Sequence, residues 1–153
     1  SMKKTIFTLL FVVGFSSAII AQKHDVNWEK DYDKAVKLAK KQNKPLLIFF
    51  TGSDWCGTCK MLVEDVFETN RFKKMAKENF VIYEADFPRN KDLITQSQRK
   101  KNYYLSRMYD VGSYPTIVVV DEKGKELGRK KSYNMMRDSS YHFRFLKDMI
   151  KDI

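Results

Sequence analysis

Between residues 27 and 42 apolar side chains recur every three or four positions. Trp28, Tyr32, Ala35, Val36 and Ala39 fall on one face and lysines on the other, which predicts an amphipathic helix. Asn43-Lys44-Pro45 ends it. Leu46-Leu47-Ile48-Phe49-Phe50-Thr51 is apolar almost throughout, as in a strand covered on both faces. Gly52-Ser53-Asp54 has loop composition. From Cys56 the spacing turns helical, with Leu62, Val63, Val66 and Phe67 on one face. A second helical piece, over about 70–78, turns Phe72, Met75 and Ala76 inward. A strand over 80–86 follows, closed by Phe87-Pro88. Residues 91–109 are polar but helix-compatible and bring Tyr104, Leu105 and Met108 together. Val111-Gly112-Ser113-Tyr114-Pro115 is a turn into the strand Thr116-Ile117-Val118-Val119-Val120. A hairpin loop over 121–125 leads to a short charged edge strand, 126–129. Asp138 or Ser139 can cap a last helix, with His142, Phe145, Leu146, Met149 and Ile150 facing in.

Strands separated by helices favour parallel neighbours, and a pair joined by a short loop is antiparallel. The expected fold is therefore α/β: a mixed central sheet of four to five strands with helices on both faces. At 153 residues, one domain is expected, over 22–153.

The first residues are set apart. Ser1 before Met2 reads as an expression scar. Met2-Lys3-Lys4 is basic, 5–15 is apolar, and Ser16 to Ala21 ends in a small residue, which is the order of a secretory signal peptide over 1–21. A cut after Ala21 leaves Gln22 as the mature start. The competing reading is an uncleaved anchor, but 5–21 is at the short edge for a bilayer span. No cysteine follows the apolar run, so lipid attachment there is excluded. The expected location is the periplasm or cell envelope, without stable membrane association after cleavage.

The formal net charge is +10, with 29 Lys+Arg against 19 Asp+Glu. The lysines are spread, with Lys30, Lys34, Lys37, Lys40, Lys41 and Lys44 along one segment. They are not interleaved with aromatics as a base-stacking surface requires, so a solvated basic face is expected and no nucleic-acid partner.

Candidate chemistry rests on Asp54-Trp55-Cys56-Gly57-Thr58-Cys59-Lys60, which holds the only two cysteines. A structural zinc site wants four ligands, and His24 and His142 have no matching spacing, so no metal is expected. As a staple, a bridge over two residues closes a loop too small to restrain the unfolded chain much. The redox reading uses the position. Cys56 lies where a strand has ended and a helix starts, so free N–H groups and the helix dipole favour its thiolate. Cys59 lies one turn on, within reach, and can resolve a mixed disulfide formed at Cys56. Gly57 lets the loop tighten, Thr58 adds a hydroxyl near the sulfurs, and Trp55 supplies a flat apolar surface.

Trp-Cys-Gly-Thr-Cys-Lys after a buried strand, with Tyr-Pro-Thr and an apolar strand about sixty residues later, resembles the thioredoxin superfamily. The resemblance spans roughly 26–153. The run 50–60 is similar in particular to exported thioredoxin-like proteins of bacterial envelopes. It implies that Cys56 is the nucleophile, Cys59 the resolving thiol, and Tyr114-Pro115 a cis peptide beside them, with Tyr114 backbone groups free to pair with an extended substrate. The chain departs from thioredoxins proper in two respects. Their buried carboxylate in the strand before the motif has no counterpart in 46–51; Glu84 or Asp86 is a candidate proton relay in its place, or else a solvated strand-end charge. The dipeptide between the cysteines is Gly-Thr, where thioredoxin has Gly-Pro. A polar insert over 89–103 either shapes partner choice or is a plain helix extension.

The expected function is an exported thiol–disulfide oxidoreductase that reduces or isomerises protein disulfides. Its partners are protein thiols and disulfides and an envelope redox partner; it needs no cofactor and acts as a monomer. The alternative is a non-catalytic module that holds extended segments in the groove of the expected cis-proline.

Overall fold

The computed structural model describes residues 26–151. The leader expected at 1–21, the cut after Ala21, the start at Gln22, and His24 lie outside the described residues.

The first helix begins later than the periodicity suggests. Trp28–Glu29 is a short strand, β1, and helix α1 runs Tyr32–Gln42 behind an Asp31 cap that accepts from the Lys34 N–H at 3.0 Å. Asn43 closes it in the left-handed region, φ 52°. The four-residue spacing of Trp28 and Tyr32 mimics a helix face, yet the two residues serve opposite faces of the sheet. Trp28 packs on Phe49, Phe67 and Phe72, with ring centroids 5.1–6.2 Å apart. Tyr32 meets Tyr83 on the other side, at 5.4 Å. Burying the indole in that aromatic cluster and pairing its backbone with Ile82 outweighs one more helical turn.

Strand β2 (Leu46–Thr51) is buried along its whole length. Helix α2 (Gly57–Leu62) continues into a π turn over Val63–Phe67, and α3 (Asn70–Asn79) is capped by Thr69. Strand β3 (Val81–Asp86) leads through a 3-10 turn at Lys91–Leu93 to α4 (Gln96–Met108), whose start is a reciprocal Thr95–Gln98 capping box. Strands β4 (Thr116–Val120) and β5 (Glu126–Lys131) and helix α5 (Ser140–Lys151) complete the chain.

The sheet order is β1-β3-β2-β4-β5. β1 and β2 both run parallel to β3, and the β4–β5 pair is antiparallel. β4 also runs antiparallel to β2, although α2, α3, β3 and α4 lie between them in the chain. β3 ends beside β2 at Asp86, and the α4 connection returns the chain to that same end of the sheet, where Thr116 lies opposite Phe50.

Alternation along β2 divides the core. Leu47 and Phe49 face α2, α3 and α5; Leu46, Ile48 and Phe50 face α1 and α4. On α5, Phe143 is buried in addition to His142, Leu146 and Met149, while Phe145 and Ile150 are half-buried. Asn102, buried on α4, accepts from the Tyr83 hydroxyl and donates to the Asp86 carbonyl at 2.9 Å.

His142 is a buried imidazole with no hydrogen-bond partner at either ring nitrogen among the described residues, packed edge-on against Tyr133. Burial, and then the charge of Lys130, hold its pKa down to about 4. The unfolded chain takes up this proton near pH ~6.5 and the native imidazole does not, so stability is lost as pH falls from there towards about 4. His142→Leu is expected to shrink the loss between about pH 7 and about pH 4.5 by on the order of 1–3 kcal/mol in urea unfolding. Equal losses in both proteins would contradict this origin.

Candidate active site

The site forms where the parallel strands β2 and β3 end side by side. Thr51 and Asp86 are the last pair in register, and the Phe87 N–H donates to the Thr51 carbonyl at 2.8 Å. The two loops leaving these strands then bind each other. The Asp86 carboxylate accepts from the Ser53 N–H at 2.9 Å and from the Ser53 hydroxyl. In return the Asp54 carboxylate accepts from the Arg89 and Asn90 N–H groups, at 2.9 and 2.8 Å. Those bonds, then the Arg89 charge, hold the Asp54 carboxyl below its usual range.

Gly52 sits at the hinge of the first loop. Its carbonyl accepts the Cys56 N–H at 2.8 Å, and a Cβ there would lie 2.3 Å from the Trp55 ring. Only glycine lets the indole fold over the backbone. Trp55 is then held by its Nε1, which donates to the Phe87 carbonyl at 2.8 Å.

Cys56 is the cap of α2, and its sulfur accepts the Cys59 N–H at 3.3 Å. The Thr58 hydroxyl lies 3.6 Å from the same sulfur. Cys56 and Cys59 are joined as a disulfide. Cys56 is 6% exposed and Cys59 1%, so Cys56 is the outer sulfur. The helical turns run unbroken from 57 to 67, which gives the cap a longer segment behind it than α2 alone.

The Tyr114–Pro115 peptide bond is cis. Tyr114 meets Trp55 edge-on, with ring centroids 5.9 Å apart, so the proline loop adjoins the cysteine loop. Among the described residues no backbone hydrogen bond engages the Tyr114 N–H or C=O. Gly57 is exposed with open space where a Cβ would stand.

Below the disulfide lies a cavity of about 330 Å³ lined by Cys59, Phe49, Thr51, Lys60, Glu84 and neighbouring side chains. Glu84 is half-buried there, and burial, followed by the charge of Asp86, raises its pKa. Asp86 does not line this cavity; its carboxylate serves Ser53. Sequence reasoning missed Asp54, Ser53 and Phe87 as parts of the site, because their partners are 32 to 36 residues away and carry no local signal. Among the described residues no group of three or more His, Cys, Asp and Glu side chains could hold a metal ion.

A strand-end disulfide at a helix cap, on a five-stranded mixed sheet with helices on both faces, defines a protein of the thioredoxin fold. The chain belongs to the thioredoxin-like family: the profile of the family described as "Thioredoxin-like domain" matches residues 32–139. It is 36% identical over 105 residues to the "Disulfide bond reductase DsbH" of Chlamydia pneumoniae, covering 69% of this chain and 62% of that protein. It is 26% identical over 133 residues to the "Thioredoxin-related protein DsbJ" of the same organism, covering 85% of this chain and 38% of that one. The chain thus spans less than two thirds of the length of either curated relative. A solved "DsbH Oxidoreductase" superposes with a TM-score of 0.71 at 30% identity, covering 83% of this chain and 85% of that one.

Gly52→Ala is expected to displace the Trp55 ring and destabilise the fold by about 1–3 kcal/mol, the range for overpacking. Denaturant unfolding checks this; an unchanged midpoint would mean that the indole is free to move aside.

Proposed function

We propose that this protein is an exported thiol–disulfide oxidoreductase that reduces protein disulfides. The observation that carries this reading is the Cys56–Cys59 disulfide, its outer sulfur at a helix cap beside the Tyr114–Pro115 loop. In the dithiol form the Cys56 thiolate attacks one sulfur of a substrate disulfide. A mixed disulfide forms and one substrate thiolate leaves. Cys59 then attacks the Cys56 sulfur, the second substrate thiolate leaves, and the protein is left as the disulfide. Two electrons pass to the substrate, and a dithiol partner of the envelope returns them to the protein.

Substrate lies extended along Tyr114, pairing with its free backbone groups, while Trp55, Gly57, Thr58 and Pro115 line the approach to Cys56. Reduction is favoured over strong oxidation because the Gly-Thr dipeptide has no histidine to hold the thiolate further. It is favoured over isomerisation because the described residues carry one redox pair. The relative named as a disulfide bond reductase supports the same direction.

Glu84 is the base for the second step. Resolution needs the Cys59 thiolate, and Cys59 shares its cavity with the Glu84 carboxylate, while Asp86 is occupied in holding Ser53. A raised pKa brings the carboxylate nearer to that of the thiol it must deprotonate.

The test is a trap. Cys59→Ser incubated with envelope protein should accumulate covalent complexes through Cys56, and Cys56→Ser should accumulate none. Complexes that form without either thiol would instead favour a binding module that holds extended segments. Glu84→Gln should slow resolution about tenfold or more near pH ~6.5, with the deficit closing towards pH ~9 as the thiol ionises unaided. Stopped-flow decay of a preformed mixed disulfide measures it; a deficit independent of pH would remove Glu84 from the role of base.

A further inference from the structure

Four aromatic rings form a continuous strip that starts beside Cys56 and ends on α4. Trp55 meets Tyr114 at 5.9 Å, Tyr114 meets Phe87 at 5.2 Å, and Phe87 meets Tyr103 at 5.3 Å between centroids. The outer rings are open to solvent, Trp55 at 37% and Tyr103 at 53%, while Phe87 and Tyr114 are half-buried between them. At the Trp55 end the Arg89 guanidinium lies over the indole, 5.1 Å from its centroid. Arg89 makes no ion pair among the described residues; the Asp54 carboxylate, whose charge it senses, is occupied by backbone N–H groups. The strip is also tied to the cysteine loop by hydrogen bonds. The Trp55 indole is bonded to the Phe87 carbonyl, and Asp54 ties the backbone at 89–90 to the cysteine loop.

A half-exposed tyrosine on a helix has no core to serve in this position. Its ring extends an apolar surface that already borders the disulfide and the unpaired Tyr114 backbone. We infer that Phe87, Tyr103 and Arg89, contributed by the segment between β3 and α4, select the substrate: a polypeptide with an aromatic side chain and a carboxylate near the cysteine that Cys56 attacks. The aromatic group lies on the strip between Tyr114 and Tyr103, edge to face with these rings. The carboxylate pairs with Arg89. In an extended segment side chains on one face recur every ~6.6 Å, so the aromatic residue falls about two to four positions from the cysteine. The inference rests on the oxidoreductase reading above and adds its specificity.

The test uses short peptides whose single cysteine is disulfide-linked to a chromogenic nitrobenzoate thiol, with release of the chromophore by the reduced protein followed over time. The set pairs phenylalanine with glutamate, phenylalanine with lysine, and serine with lysine, with the phenylalanine placed on each side of the cysteine in turn. The symmetric nitrobenzoate disulfide, which carries no peptide, is run beside them. The wild type should react with the Phe/Glu peptides about tenfold faster than with Ser/Lys. Tyr103→Ala should cut the Phe-over-Ser ratio about threefold, and Arg89→Glu should invert the Glu-over-Lys ratio. Both side chains are surface-exposed, and circular dichroism of the variants verifies folding. Equal rates across the peptides in a protein that reacts with the symmetric disulfide would overturn the specificity inference alone. Selectivity that persists unchanged in both variants would overturn it as well. Inertness towards every disulfide, the symmetric one included, would overturn the oxidoreductase reading and the specificity with it.

Discussion

The site depends on the reciprocal capping of two strand exits. β2 and β3 end in register at Thr51 and Asp86, and each strand's following loop carries a carboxylate or its target for the other. Asp86 holds Ser53, and Asp54 holds the N–H groups of Arg89 and Asn90. Ionised acceptors make these bonds stronger than ordinary amide–carbonyl pairs. They also satisfy backbone donors that a loop leaving a sheet would otherwise leave to water. One consequence is positional: Cys56, Trp55 and the Phe87–Arg89 segment are bonded into one unit. A second is topological, because only parallel strands bring both loops to the same end of the sheet.

Thioredoxins proper place a buried carboxylate in the strand before the cysteines, and β2 has none. The next strand carries two carboxylates at this end of the sheet. Asp86 is buried and committed to the loop, whereas Glu84, two residues earlier on the same side of β3, opens into the cavity beneath Cys59. In the mechanism proposed above, two residues of one strand thus divide between them the structural duty of a carboxylate and its acid–base duty.

Much of this was legible in the sequence because it is written in local patterns. The continuous apolar runs at 46–50 and 117–120 required strands covered on both faces, and the sheet bears both layers. The short 121–125 loop required an antiparallel pair, and β4–β5 is one. The cysteine spacing after a buried strand placed one sulfur at a helix start. Patterns that satisfy two structures at once misled. Trp28 and Tyr32 have helical spacing, yet Trp28 lies in a strand and reaches the opposite core. Val66 and Phe67, adjacent and both buried, suit a π turn as well as an α turn, and periodicity alone does not separate them. The contacts of Ser53, Asp54 and Phe87 across more than thirty residues left no trace in any window of the sequence.

The depth difference between the two sulfurs has a protective consequence. Peroxide or hypochlorous acid reaching this surface meets Cys56 first, since Cys59 is all but sealed from solvent. A sulfenic acid formed there would have a thiol three residues away with which to condense, losing water. The product is the same disulfide that the proposed reduction of a substrate would leave behind. Oxidation at the outer sulfur would thereby end in a state from which a thiol donor recovers the protein, rather than in the irreversible sulfinic and sulfonic acids.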